Sequence, residues 1–207
     1  MKLIRTTCLT LTTGLLLAGK LSSQDAAARL TVLERDLPAI MDSAGVPGLM
    51  LVVFEHGRVA ATRSYGVRSS ATMISVDSET VFEAMSLTKQ VVAYIAMRLV
   101  DQGTLDLDQP LASYLPHPDL DDPRSRQVTA RMVLSHTSGL PNWRPDSGQL
   151  VFNSDPGTRY GYSGEGYVWL GMVIEKLTGL PLAEVAQREV FQPLGMTRSS
   201  LVWEERF

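Results

Sequence analysis

Cysteine and histidine are scarce in this chain, and their scarcity excludes several classes of chemistry. The 207 residues contain one cysteine, Cys8, and three histidines. Cys8 belongs to the N-terminal segment, so the rest of the chain has no disulfide, no thiol nucleophile and no cysteine ligand for a metal. His56, His117 and His136 are not at the spacing of zinc ligands on a helix. We therefore expect no metal site and no cofactor.

An excess of charge of one sign is also lacking. The chain has 19 basic and 22 acidic residues, a formal net charge of −3, and no basic block. Proteins held to nucleic acid by phosphate contacts need a basic surface, so we expect no nucleic-acid partner. The 44% of hydrophobic residues is typical of a globular protein that buries a core. The length predicts one domain, with room for a small second one.

No apolar run reaches the roughly 20 residues that a membrane-spanning helix needs. The apolar stretch Leu9–Ala18 follows Lys2 and Arg5 and precedes small and polar residues. This pattern predicts a secretory signal peptide over residues 1–23, with cleavage anywhere between 18 and 28. A membrane anchor or a buried helix is the alternative. We expect residues 24–207 to form an exported domain, secreted or periplasmic in a bacterial envelope, with no integral membrane span after signal removal.

Hydrophobic periodicity and turn residues predict the main elements. Apolar positions three and four apart predict a helix over Ala26–Ala44, which Pro38 should kink or restart. Two apolar runs joined by Glu55-His56-Gly57-Arg58 predict a hairpin with His56 in its turn. Further helices are predicted over Ser86–Gln102, from Thr129 through Leu134, over Gly166–Thr178 and over Leu182–Phe191, with a solvated loop over 110–123.

Ser86 and Lys89 are the first candidates for chemistry. Side chains three apart share a helix face, so the Lys89 ammonium can reach the Ser86 hydroxyl. The backbone N–H of Ser86 in a first helical turn would stabilise an oxyanion. Apolar neighbours would help Lys89 lose its proton and act as a base toward the serine. By itself the spacing favours a serine N-cap followed by a solvated lysine over a catalytic pair.

Tyr162 is the second candidate, because a phenol acts as acid and base when a nearby cation lowers its pKa. The alternative is a buried tyrosine that makes one hydrogen bond. Glu165 offers another carboxylate base, but its spacing does not pair it with Ser86. Lys176-Leu177-Thr178-Gly179 is one residue too long for a Lys-Thr-Gly motif, so we interpret it as a helix end.

Five stretches in this order resemble one family, the serine β-lactamases and penicillin-recognising enzymes, on the side of class C β-lactamases, D-alanyl-D-alanine peptidases and β-lactamase-like esterases. The resemblance covers nearly all of the chain after the predicted signal. The stretches are Gly45-Val46-Pro47-Gly48, Met85-Ser86-Leu87-Thr88-Lys89, Leu105-Asp106-Leu107-Asp108 with Tyr114-Leu115-Pro116, Leu134-Ser135-His136-Thr137-Ser138-Gly139-Leu140-Pro141, and Pro156-Gly157-Thr158 through Tyr162-Ser163-Gly164 to Pro193-Leu194-Gly195-Met196-Thr197.

The resemblance implies an α+β fold of the β-lactamase/transpeptidase type, in which an antiparallel sheet is flanked by helices beside a mostly helical region. It implies an exported serine hydrolase that acts through an acyl-enzyme on an ester, amide or β-lactam carbonyl of a small molecule or short peptide. Ser86 would be the nucleophile, Lys89 would help remove its proton, and Tyr162 would relay protons. His136 would lie in a structural turn behind the site rather than in a catalytic triad. Oligomeric state is left open.

Two departures from the family pattern carry expectations of their own. Gly164 stands where the family usually has an asparagine that holds a substrate amide, which favours ester substrates. The chain also ends at Phe207 without the later Lys-Thr-Gly strand, which supplies an oxyanion donor in the family. We therefore expect a fragment that lacks the C-terminal strands, folds poorly and has little activity. The alternative to an enzyme is a non-catalytic or inactive fragment of a penicillin-binding-like protein.

Overall fold

The structure is a computed structural model that describes residues 30–145 and 148–205. The predicted signal peptide over residues 1–23 lies outside the described residues. The chain divides into two compact units, Met1–Thr80 and Val81–Phe207. We call them the hairpin unit and the helical unit.

The hairpin unit contains one described helix and two strands. Helix α1 covers residues 30–44 and continues through Pro38, so the predicted restart at this proline does not occur. Strands β1 (Gly48–Glu55) and β2 (Arg58–Gly66) pair antiparallel, as predicted. Their turn has His56 and Gly57 at φ 49° and 74°, which is the left-handed conformation that a tight hairpin requires.

The helical unit contains five helices among its described residues, α2 (Thr88–Asp101), α3 (Leu111–Tyr114), α4 (Ala130–Leu134), α5 (Gly164–Thr178) and α6 (Leu182–Ala186). A 3₁₀ turn, Met85–Leu87, runs into α2. Thr129 caps α4, since its hydroxyl accepts a hydrogen bond from the Met132 N–H, as predicted. Gly179 ends α5 at φ 70°, which confirms the interpretation of 176–179 as a helix end.

The core of the helical unit forms around α2 and α5. The apolar stripe of α2 is buried at every turn, and α5 contributes the largest fully buried side chain, Trp169. The Trp169 Nε1 donates a 2.9 Å hydrogen bond to the Leu115 carbonyl, so its one polar atom is satisfied inside the core. This packing fixes α2, whose first turn carries Lys89, and α5, which the loop with Tyr162 precedes.

Three sequence predictions need correction in the helical unit. Ser86 lies in the 3₁₀ turn, outside α2, directly after the left-handed residue Met85. The predicted loop over 110–123 contains helix α3 and leads into a second 3₁₀ turn, Pro123–Gln127. The predicted helix over Leu182–Phe191 is α6 followed by a π turn, Gln187–Phe191. A hydrophobic period does not distinguish 3₁₀ and π turns from an α-helix at the ends of an element.

Within residues 30–145 and 148–205, no helix is both long enough and apolar enough to cross a membrane. A two-stranded antiparallel sheet and a set of helices make up these residues. The α+β class predicted from the sequence is confirmed.

Candidate active site

Ser86 stands at an exposed and conformationally unusual position. It follows Met85, whose φ of 47° lies in the left-handed region that non-glycine residues rarely adopt. Leu87, and not Ser86, occupies the N-cap position of α2, and no side chain caps this helix end. The alternative in which Ser86 serves only as an N-cap therefore does not describe this structure. Its hydroxyl is available for another partner.

Lys89 supplies that partner from the first turn of α2. Its Nζ donates a hydrogen bond of 3.2 Å to the Ser86 Oγ. The side chain is half-buried, which differs from the solvated lysine of the alternative interpretation. The spacing of three residues thus brings an amine and a hydroxyl into contact, and proton exchange between them needs no rearrangement.

Tyr162, from a second segment of the chain, lies beside Ser86 and Lys89. It lies in the loop before α5, and the Lys89 Nζ is 4.9 Å from the centroid of its ring. The pKa of the Tyr162 phenol lies below its ordinary value. The larger cause is its hydrogen bond with Ser86, and the smaller is its hydrogen bond with Lys89. Three side chains from two segments, 76 positions apart in sequence, therefore meet at one point. The structure brings together Ser86, Lys89 and Tyr162, and their chemical roles stay predictions.

Ser163 holds the Tyr162 loop in place and was not identified from the sequence. Its buried hydroxyl accepts from the Gly166 N–H at 2.9 Å and donates to the Pro141 carbonyl at 3.0 Å. It is thus the N-cap of α5, which begins at Gly164 rather than at the predicted Gly166. A serine directly before a helix start was the available signal.

His136 packs against the same loop. Its Nδ1 accepts a 3.1 Å hydrogen bond from the Ser163 N–H, and its ring lies 4.4 Å from the Tyr162 ring. Its φ of 56° places it in a tight turn after α4. Burial, and then the charge of Lys89, lowers the pKa of the imidazole. The contacts are those of a turn residue that supports Tyr162.

Steric crowding explains why position 164 holds a glycine. A Cβ at Gly164 would lie 2.3 Å from the Asn142 carbonyl oxygen and 3.1 Å from the Asn142 Oδ1. A backbone oxygen cannot give way as a flexible side chain can. No side chain fits at 164 with this backbone, and the carboxamide of Asn142, which sequence reasoning missed, occupies the adjacent space.

Glu165 is held in an ion pair and is not a free base. It is buried, and one of its carboxylate oxygens accepts a 2.9 Å hydrogen bond from the Arg144 guanidinium. Arg144 also binds Asp119, and these two partners raise the pKa of the guanidinium. A hydrogen bond between two charged groups holds the carboxylate in one orientation. Glu165 thus anchors the first turn of α5.

A cavity of about 460 Å³ opens beside Lys89 within the helical unit. Its polar lining residues include Lys89, Asn142 and Glu165, and apolar side chains of α2 and α5, together with Trp143 and Leu182, line the rest. A concave, mostly apolar space with a few polar groups is typical of a small-molecule site. The described ranges 30–145 and 148–205 hold no group of three or more histidine, cysteine, aspartate or glutamate side chains placed to bind a metal ion.

Comparison with known proteins gives a consistent result. The family model described as Beta-lactamase matches residues 33–206. The chain is 30% identical to the esterase EstB of Burkholderia gladioli over 213 residues, covering 88% of this chain and 54% of the esterase. It is 33% identical to penicillin-binding protein 4 of Amycolatopsis lactamdurans over 176 residues, covering 77% of this chain and 46% of that protein.

A solved structure shares the fold. The crystal structure of a class C β-lactamase in complex with cefoxitin superposes with a TM-score of 0.77 at 25% identity, over 88% of this chain and 54% of that one. The chain spans about half the length of the curated relatives it matches. Together with the family model, which covers most of the sequence, these matches confirm the resemblance seen in the motifs. The chain belongs to the β-lactamase family.

Proposed function

We propose that the chain carries the nucleophilic half of an exported serine hydrolase that works through an acyl-enzyme. The observation that carries this proposal is the 3.2 Å contact between the Lys89 Nζ and the Ser86 Oγ, with the Tyr162 ring 4.9 Å from the same ammonium. Activation of a serine needs groups that can take its proton, and an amine and a phenol lie within these distances of the hydroxyl and of each other. Family membership supports the same chemistry, since named relatives include an esterase and a penicillin-binding protein.

The proposed reaction has two steps. In the first, the Ser86 Oγ attacks a carbonyl carbon while its proton passes to Lys89 or Tyr162, and the leaving group departs with a proton from Tyr162. In the second, Tyr162 takes a proton from water, which attacks the carbonyl carbon of the ester formed on Ser86. The bond between that carbon and the Ser86 Oγ breaks, the Oγ regains a proton from Tyr162 or Lys89, and the acid is released. The lowered pKa of Tyr162 supports its part in both steps, because a phenol that ionises more readily is a better base at neutral pH.

The proposed substrate carbonyl belongs to an ester, an amide or a β-lactam of a small molecule or short peptide. Gly164 favours esters, since the position presents no amide side chain to a substrate amide. The Asn142 carboxamide lies next to this gap and is the group that would contact a substrate there. Parallel rates on a chromogenic cephalosporin and a short-chain nitrophenyl ester decide between the substrate classes. We expect the ester to react faster.

Covalent labelling tests the proposal directly. The full chain is incubated with a fluorophosphonate and, separately, with benzylpenicillin, and its intact mass is measured. We expect a mass increase of one adduct that maps to Ser86. Ser86→Ala should abolish the adduct, whereas Ser64→Ala, which alters an exposed strand serine, should keep it. An unlabelled wild-type chain that melts cooperatively would contradict the proposal and support the alternative of a non-catalytic penicillin-binding-like fragment.

Export is part of the proposal and has its own test. The charged and apolar pattern of residues 1–18 supports a signal peptide. Expression in a Gram-negative host, followed by fractionation and N-terminal sequencing, should find a periplasmic protein that begins between residues 19 and 29. A cytoplasmic protein that keeps residues 1–23 would contradict export without affecting the chemistry proposed for Ser86.

A further inference from the structure

His136 is bound to the residues on both sides of Tyr162. Its carbonyl oxygen accepts a 2.8 Å hydrogen bond from the Gly161 N–H, and its Nδ1 accepts a 3.1 Å bond from the Ser163 N–H. Its ring then lies against the ring of Tyr162 itself, with centroids 4.4 Å apart and planes tilted by 31°. Three consecutive residues of the loop are therefore held by one residue. We call this set of contacts the His136 clamp.

The clamp determines where the phenol can be. A tyrosine side chain has two rotatable bonds, and its hydroxyl lies far from its backbone, so small changes in backbone direction displace the oxygen considerably. Fixing the amides of Gly161 and Ser163 sets the backbone direction, and the stacked imidazole restricts the ring. The phenol is thereby kept near Ser86 and Lys89, whose hydrogen bonds lower its pKa.

We propose that His136 is a positioning residue, which holds Tyr162 in its reactive place through the clamp and does so only while its imidazole is neutral. This inference rests on the proposed function, because it assigns Tyr162 a place in that reaction. It assigns His136 no contact with the substrate.

The need for a neutral ring follows from the direction of the Ser163 bond. Nδ1 accepts this hydrogen bond, and an imidazolium, which carries a proton on both nitrogens, cannot accept it. The titratable groups facing the ring are Lys89 from α2, Tyr167 from α5, and Tyr160 and Tyr162 from the loop. A second cation beside Lys89 is unfavourable, which agrees with the lowered pKa of His136.

Two substitutions separate the acceptor from the rest of the side chain. His136→Gly and His136→Asn both tolerate the φ of 56°, because glycine and asparagine adopt this region more readily than other residues. Only asparagine has an acceptor, Oδ1, at the distance from the backbone where histidine has Nδ1. A comparison of these variants therefore measures the Ser163 hydrogen bond at constant backbone strain.

The first readout is the rate constant for acylation of Ser86 by a fluorophosphonate. We expect His136→Gly to be slower than wild type by about 10- to 100-fold, as for a misplaced catalytic group, and His136→Asn, which restores the acceptor but not the stacked ring, to recover part of the loss. The wild-type rate should also fall in acid as the ring is protonated, and His136→Asn should lack this titration. An acylation rate in His136→Gly equal to wild type, or His136→Asn as slow as His136→Gly, would overturn the proposal.

The second readout needs no activity. The Tyr162 phenol is titrated by NMR of ¹³C-labelled tyrosine, assigned with Tyr162→Phe. Its lowered pKa should return toward the ordinary value in His136→Gly and stay low in His136→Asn. In the wild-type chain the ¹⁵N shift of the Ser163 amide should follow the protonation of His136, a test that holds even if both variants fail to fold. An amide shift independent of that titration contradicts the clamp.

The two readouts distinguish the clamp from the proposed function. A wild-type chain that is not acylated, but whose Tyr162 and Ser163 signals follow His136, rejects the hydrolase proposal and keeps the clamp as a structural device. Acylation at Ser86 with no dependence on His136 rejects the clamp and keeps the hydrolase.

Discussion

The hairpin unit and the helical unit differ in how their apolar side chains are buried. In the described part of the hairpin unit the buried hydrophobic residues are Leu37, Met41 and Val76. The helical unit has a continuous core of twenty buried hydrophobic residues between Val92 and Phe191. Phe54 in β1 is 67% exposed, whereas Trp169 in α5 is fully buried. Both regions contain large apolar side chains, but these side chains are buried to different degrees.

This difference identifies the region that positions the candidate site residues. A two-stranded hairpin is marginal without further strands or a packed helix, while helices around a shared core hold their first turns in fixed positions. Ser86, Lys89, Tyr162 and His136 all belong to the helical unit. The candidate site is therefore built on the part of the chain with the stronger core, and four predictions test this comparison.

The largest expected effect is in amide hydrogen exchange of the full chain. Backbone amides in the middle of α5 should exchange roughly a thousandfold more slowly than those in the middle of β1, since exchange follows the local free energy of opening. The measurement is hydrogen–deuterium exchange followed by mass spectrometry. Equal protection of α5 and β1 would mean that the two units unfold together, and the contrast drawn from burial would be wrong.

Core truncation tests the same contrast by stability. Trp169→Ala should reduce the free energy of unfolding by about 3–5 kcal/mol, because it leaves a large cavity and removes the hydrogen bond to Leu115. The matched control Phe54→Ala should cost less than about 1 kcal/mol, since most of that side chain is already in water. Urea unfolding followed by circular dichroism measures both. Similar losses for the two variants would contradict the comparison.

Removal of Lys89 tests whether the proposed reaction depends on the helical unit. Lys89→Met should slow acylation of Ser86 by about 100-fold or more, because it removes a general base or its supporting charge. Lys176→Met, at the exposed end of α5, and His56→Ala, in the hairpin turn, should leave the rate unchanged. Fluorophosphonate labelling measures all three. A slow His56→Ala would show that the hairpin unit takes part in the reaction.

The smallest expected effect concerns acid stability. Hydrogen bonds from Arg124 lower the pKa of Asp122 below its ordinary value. In the hairpin unit the pKa of Asp77 is also lowered, mainly by the hydrogen bond with Thr80 and to a smaller extent by that with Arg68. A carboxyl with a depressed folded pKa stabilises the fold above its unfolded pKa, and this stabilisation is lost as the pH falls through the folded value.

Asp77 is exposed and Asp122 is half-buried in contact with solvent, so the solvent screens both pairs and their contribution is small. Asp122→Asn should reduce the drop in melting temperature between pH 6 and pH 2.5 by a few degrees at most. The exposed neighbour variant Asp121→Asn should leave that drop as in wild type. Melting followed at both pH values checks this. An identical acid response of Asp122→Asn and wild type would show that the Arg124 pair does not contribute to stability.

Local sequence signals predicted those elements that depend on a few neighbouring residues. The turn at His56-Gly57, the Thr129 cap and the Gly179 helix end each need only side-chain chemistry and backbone preference within four positions. The hydrolase candidates came from a helical spacing and from the family resemblance together. Spacing by itself did not separate the Ser86–Lys89 pair from a capped helix.

Predictions failed where the backbone departs from a residue's ordinary preference or where a distant segment sets the conformation. Met85 adopts a left-handed φ that its own side chain does not favour, and Ser86 directly after it lies in a 3₁₀ turn rather than in α2. Gly164 excludes a side chain because the Asn142 carbonyl lies against it. Contacts between residues more than 20 positions apart leave no periodic or local pattern in the sequence, so they were not predictable from it.

The family, the α+β class, the hairpin and the chemical types placed at positions 86, 89 and 162 were predictable from the sequence. Motif order and short-range backbone preferences contain that information, and they need no knowledge of packing. The folded structure was needed to show that Tyr162 lies beside Lys89, that His136 binds both neighbours of Tyr162, and that Glu165 pairs with Arg144. Those arrangements depend on how α2, α4 and α5 pack around one core, because side chains from separate segments can meet only after the core has fixed the distances between them.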